Sequence, residues 1–178
     1  MYTNQKSDIR VNWNGHTSQV AVNKQNQDLQ TFDSRFAYDV FGGPQRFNGV
    51  QFHFHAGSEH TVNGKRHDLE MHTVHLPKEA RGGIKYAALG IFFSVDDYTV
   101  DLRPDQQQVI DDFFDSLKWE DTSSNPAVSE VPYGNLMMMV DTANRWVYKG
   151  SVTTPPCDTL VYWNVLRTIY PLKKKHLD

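Results

Sequence analysis

The chain has 178 residues with 18 Lys+Arg and 21 Asp+Glu, a formal charge of −3, and its 12 % aromatic content argues against disorder. That size suits one compact domain. The near-neutral charge lacks the basic footprint of a nucleic-acid binder, and no apolar run is long enough to span a bilayer. The single cysteine, Cys157, excludes an internal disulfide and a cysteine-built zinc finger, whereas eight histidines are an unusual number.

Taken in chain order, short runs of strand length rich in Val, Ile, Phe, Tyr and Trp cover Val20–Val22, Val50–His55, Leu69–His75 and Tyr86–Val95. The polar stretch Asn23–Asp28 reads as a turn, as do Phe41-Gly42-Gly43-Pro44 and Asn63-Gly64. From Pro104 to Leu117 the period changes. Val109, Ile110, Phe113, Phe114 and Leu117 form one helical stripe, opposite a solvated face of Gln107, Asp111, Asp112 and Asp115. Further strands are expected at Leu136–Val140, where Met137, Met138 and Met139 read as core filling, and at Trp146–Tyr148 and Leu160–Leu166. The helix then packs on a sheet. The fold class is α+β, strand-dominated: a large, twisted, mostly antiparallel sheet with peripheral helices, within a single domain over residues 1–178.

The chemistry concentrates in Gln51-Phe52-His53-Phe54-His55. On a strand, Gln51, His53 and His55 share one face, while Phe52 and Phe54 point the other way into apolar packing. Two imidazoles spaced about 6.5–7 Å along a strand can converge on one metal. A lone His-x-His pair defines nothing, but Leu69-Glu70-Met71-His72-Thr73-Val74-His75 supplies a second strand with Glu70, His72 and Val74 on one face. The Asn63-Gly64 turn lets it return beside the first, so that His72 adds a third ligand and Glu70 a carboxylate that orients an imidazole. Three imidazoles without cysteine describe a catalytic zinc site with an open fourth position.

Gln51-Phe52-His53-Phe54-His55-Ala56-Gly57-Ser58-Glu59-His60-Thr61-Val62-Asn63-Gly64 closely resembles the signature of the α-class carbonic anhydrases. Glu70–His75 is similar to that family's third-ligand strand, Gly150–Cys157 with Val161-Tyr162-Trp163 to its active-site loop, and Asn14-Gly15-His16 to its proton-shuttle segment. The motifs run in the family's order over about residues 12–167. The resemblance implies zinc bound by His53, His55 and His72, with Gln51 and Glu70 orienting His53 and His72. It implies interconversion of carbon dioxide and bicarbonate by attack of a zinc-activated hydroxide. Thr153 resembles the gatekeeper threonine and Glu59 its carboxylate partner. If Glu59 accepts the Thr153 hydroxyl proton, Thr153 must accept a proton from the nucleophile and so aim it. Thr154 is implied as a substrate contact, and Val74, Ala88, Val152, Val161 and Trp163 as the apolar wall around carbon dioxide. His16 is implied as the proton shuttle, suited to the task by an ordinary imidazole pKa. His60 and Tyr148 resemble a structural pair behind the site, and His67, His75 and His176 read as packing or surface residues.

The pattern breaks in places. Ala56 stands where the family usually has Trp, and the segments that usually precede and follow these motifs are not in the sequence. A truncated record is one expectation. A protein partner or oligomer that covers the same surface, as in a subunit of a membrane-associated complex, is the other. Cys157 matches a loop cysteine that pairs, in secreted relatives, with one near the N-terminus, which implies an extracytoplasmic location. Two other functions compete. A non-catalytic carbonic-anhydrase-like binding or assembly module would typically lose a zinc histidine, and a zinc peptidase would show a His-Glu-x-x-His helix, which is not present.

Overall fold

The structure, a computed structural model, describes residues 5–13, 18–21, 33–34, 45–77, 83–118 and 127–178. Nine strands are described: β1 (Gln5–Trp13), β2 (Ser18–Ala21), β3 (Asp33–Ser34), β4 (Gln45–Ala56), β5 (Leu69–Pro77), β6 (Tyr86–Ser94), β7 (Ala127–Val131), β8 (Arg145–Ser151) and β9 (Thr159–Pro171). They join in one sheet in the order β7-β1-β2-β4-β5-β6-β9-β8, with β3 also paired to β4. Every pairing is antiparallel except β6 with β9. The strand-dominated, mostly antiparallel architecture expected from the sequence is the one observed.

Among the described residues, two helices pack on this sheet, α1 (Pro104–Asp115) and α2 (Tyr133–Met139). In α1, Pro104 occupies the first turn, where its missing N–H costs nothing, and the Arg103 N–H donates to Gln106 Oε1 at 3.1 Å. Ile110, Phe113, Phe114 and Leu117 of its stripe are fully buried. Phe113 and Phe114 meet Phe54 at ring-centroid distances of 6.2 and 5.6 Å, and Phe114 meets Phe93 of β6 edge-on at 5.2 Å.

Two expectations are corrected here. Asp111 is not on a solvated face. It is only 2 % exposed and takes a hydrogen bond from Lys173, while His176, in the 3₁₀ turn Lys174–His176, stacks near Phe114 at 5.3 Å. The C-terminal lysines thus supply the partner that a buried carboxylate requires. The segment expected as a strand at Leu136–Val140 is α2 and its C-cap. Tyr133, Leu136, Met137 and Val140 are buried at helical spacing, whereas Met138 is 71 % exposed. That i, i+3, i+4, i+7 pattern was present in the sequence but was masked by the run of three methionines.

Candidate metal centre

The register of the two central strands builds the site. β4 and β5 pair with His53 opposite His72, His55 opposite Glu70 and Gln51 opposite Val74. Directly opposed residues project from the same face, so the three imidazoles gather on one side of the sheet. Their ring centroids lie 5.0 Å (His53–His55), 5.2 Å (His53–His72) and 4.7 Å (His55–His72) apart. One nitrogen from each lies within 4.8 Å of the others, an arrangement that could hold a metal ion. His72 is buried and the other two are half-buried.

The surrounding groups orient the rings. Gln51 Oε1 lies 2.8 Å from His53 Nδ1 and accepts its proton, which leaves Nε2 as a lone-pair donor facing the cluster. Glu70 Oε1 lies 2.9 Å from His72 Nε2, which leaves His72 Nδ1 for the same centre. Glu70 also accepts from the His60 backbone N–H at 2.9 Å (Oε2) and from His60 Nδ1 at 2.6 Å (Oε1). With Nδ1 donating to Glu70, His60 Nε2 accepts from the Tyr148 hydroxyl at 2.6 Å. His60, Glu70 and His72 also have ligand atoms close together, but their contacts run from β8 to the third imidazole: Tyr148 and Glu70 are hydrogen-bonded to His60, and Glu70 Oε1 then approaches His72 Nε2 at 2.9 Å. Gly90 of β6, opposite His72, makes this possible, since a Cβ there would sit 2.8 Å from Glu70 Oε1. The sequence reading missed Gly90; a glycine inside an otherwise apolar strand was the available signal.

The electrostatics keep the cluster ready for a cation. Burial, reinforced by the neighbouring His72 and His55, lowers His53 to about 3, and burial with the same His72 lowers His55. Both rings are therefore neutral at physiological pH, the form that binds metal. Burial alone would push Glu70 up, but the hydrogen bonds from His60 and His72 outweigh it and hold the carboxyl below the usual range. Burial, with Glu70 and Glu59 nearby, raises Tyr148 to about 12, so its hydroxyl stays a donor.

An apolar wall borders the imidazoles. Ala88, Val161 and Trp163 pack in one buried cluster with Val152 partly buried against it, while Val74 is half-buried and sits opposite Ala88 across the β5–β6 pair. The Trp163 ring is 4.8 Å from that of His72, and its Nε1 donates to the Ser151 carbonyl at 3.0 Å. Thr153 and Thr154 are exposed in the loop after β8, and no hydrogen bond joins Thr153 to Glu59 among the described residues. Glu59 turns instead toward the imidazoles, with Oε2 3.5 Å from His55 Nε2. His16 lies outside the described residues. His67, His75 and His176 are buried, and Cys157 is an exposed free thiol.

The family model of the eukaryotic-type carbonic anhydrases matches residues 1–178. The chain belongs to the carbonic anhydrase family. A carbonic anhydrase of Nostoc sp. is 32 % identical over 128 residues, which cover 70 % of this chain and 42 % of that protein. Alpha carbonic anhydrase 4 of Arabidopsis thaliana is 26 % identical over 175 residues, 98 % of this chain and 52 % of the relative. The chain thus spans about half the length of the curated relatives it matches. Among solved structures, the α-carbonic anhydrase of Thermovibrio ammonificans, determined with the inhibitor sulfanilamide, aligns with a TM-score of 0.68 at 29 % identity, covering 97 % of this chain and 65 % of that one.

Proposed function

We propose that this protein is a zinc-dependent carbonic anhydrase interconverting carbon dioxide and bicarbonate, with His53, His55 and His72 as the ligands. The observation that carries the reading is the convergence of three imidazole nitrogens within 4.8 Å, beside a buried apolar wall. Zinc fits the donor set, because three neutral imidazoles without thiolate are a catalytic-type site. His55 Nε2 is moreover buried without a hydrogen-bond partner, as expected of an atom reserved for a cation. When bound, zinc supplies a Lewis acid that makes water a usable nucleophile near neutral pH, as throughout the carbonic anhydrases.

The protein's own groups do the rest. Gln51 and Glu70 select the nitrogen each ring presents. Val74, Ala88, Val152, Val161 and Trp163 offer carbon dioxide an apolar wall that excludes competing water, and Thr154 contacts substrate at the rim. In the working state Glu59 accepts the Thr153 hydroxyl proton, so that Thr153 accepts from the nucleophile and fixes its direction. His16 passes the released proton to buffer. An extracytoplasmic location rests on the resemblance of Cys157 to the loop cysteine of secreted relatives alone, and mass spectrometry of its oxidation state in native material would check it.

The test is the metal content of purified protein, paired with carbon dioxide hydration before and after chelation. Stoichiometric zinc and chelator-sensitive hydration are expected. Metal-free protein without hydration activity would replace this reading with the non-catalytic binding or assembly module.

A further inference from the structure

His67 lies in the connection from β4 to β5, shortly before the strand that carries the third imidazole. Its side chain is 3 % exposed, and both ring nitrogens are buried without a hydrogen-bond partner among the described residues. An apolar ring would fill such a place without stranding polar atoms, so a bare imidazole there calls for a reason. The polar group that faces it is Asp97, in the segment after β6, whose Oδ2 lies 3.3 Å from His67 Nδ1 and 2.8 Å from Lys65 Nζ. That segment is itself fastened beside His67. Ser94 Oγ and the Val95 N–H each donate to Asp68 Oδ2 at 2.7 Å, and the Asp97 N–H donates to Ser94 Oγ at 3.2 Å.

Two routes join His67 to the metal centre. Along the backbone, its carbonyl accepts from the Ser58 N–H at 2.9 Å and its N–H donates to Ser58 Oγ at 3.0 Å. Ser58 is fully buried and donates from Oγ to the His60 carbonyl at 2.6 Å, and His60 holds Glu70 through its backbone and its ring. Through its own ring, His67 meets Phe92 edge-on at 5.3 Å, and Phe92 stands opposite Glu70 in the β5–β6 pair. Both routes end at the carboxylate that lies 2.9 Å from His72 Nε2. The Lys65–Asp97 ion pair is largely solvated and adds little by itself.

We propose that His67 and Asp97 are positioning residues for the metal centre. The Asp97 carboxylate fixes the buried imidazole, and the imidazole sets where Ser58, His60 and Phe92 hold Glu70 against His72. The proposal rests on the three-histidine reading above and extends it to a carboxylate in a separate loop. Neither residue is a ligand.

The test compares wild type, His67→Phe, Asp97→Asn, the double variant and His53→Ala in zinc affinity by chelator competition. The imidazole N–H signal of His72 is followed by NMR in the metal-free protein, with melting curves to check folding. His67→Phe and Asp97→Asn are each expected to lose about 3–10-fold in zinc affinity, less than the roughly 10–100-fold of groups that touch a ligand. The double variant should lose no more than the worse single variant, because the two residues act through one contact. The loss in Asp97→Asn should persist at about 1 M salt, which screens a remote charge beyond about 3 Å. The His72 signal should shift or broaden in both single variants. Unchanged affinity or an unchanged His72 signal in Asp97→Asn, additive losses in the double variant, or a loss that vanishes in salt overturns the proposal. If His67→Phe fails to fold, Asp97→Asn, at an exposed position, decides alone. His53→Ala separates the two claims. Zinc affinity unchanged in that variant sinks the three-histidine reading itself, whereas affinity lost there but kept in Asp97→Asn sinks only the role of His67 and Asp97.

Discussion

The two faces of β4 obey opposite rules. Phe52 and Phe54 are buried on one face, where Phe52 stacks on Tyr133 at 5.3 Å and meets Phe113 at 5.6 Å. On the other face, one residue along, Gln51, His53 and His55 build a polar cluster in which Gln51 orients His53 and the nitrogens of His53 and His55 converge with that of His72. The first face holds the sheet to its helices, and substitutions there act on stability. The second face is neutral imidazole in a desolvated setting. Substitutions there are expected to act on metal binding more than on folding.

The strongest way to break this division is to truncate the packed face. Phe52→Ala is expected to destabilise by about 3–5 kcal/mol in chemical denaturation, because the cavity opens under both helices. His53→Ala, on the adjacent residue, should leave the metal-free midpoint near wild type while abolishing zinc binding. Equal loss of stability in the two variants would erase the distinction.

Acid sharpens it next. Burial lowers His75 to about 4 and, with His72 and His55, His53 to about 3, against an ordinary imidazole value of 6.5. Below that value the unfolded chain takes up protons that the folded chain refuses, so stability is retained above pH 6.5 and lost as pH falls towards the folded values. Each such ring costs about 1.4 kcal/mol per pH unit in that window. Urea midpoints of metal-free protein should therefore fall steadily from neutral pH to pH 5. A flat profile would mean that these rings are not held neutral by the fold.

The smaller effects lie in the orienting groups. Glu70→Gln keeps the shape but weakens the charge that fixes His72, and zinc affinity should drop by about 10–100-fold in chelator competition. Gly90→Ala should give a similar phenotype by displacing Glu70 Oε1, which would lie 2.8 Å from the new Cβ. Tyr148→Phe, which removes the last donor in the chain through His60, should cost about 0.5–1.5 kcal/mol in thermal unfolding and less in zinc affinity than either.

Much of this was legible in the residue pattern. The period-2 alternation of Gln51–His55 and of Leu69–His75 was strong enough to assign faces, since successive side chains on a strand point opposite ways. The stripe of α1 was equally plain. Elsewhere short-range pattern failed. Leu136–Val140 is too short and too uniformly apolar for periodicity to separate strand from helix, and Asp111 looked solvated because its partners Lys173 and His176 are some sixty residues away.

The sequence alone determined which residues could be ligands, which face of each strand they share and which family they resemble, because those properties depend on residue type and local spacing. Only the tertiary structure decided that His53 stands opposite His72, that Gly90 leaves room for Glu70 and that Glu59 turns toward the imidazoles. Register and loop direction depend on contacts between distant segments, which compete through packing and hydrogen bonding and are not encoded in any short stretch of chain.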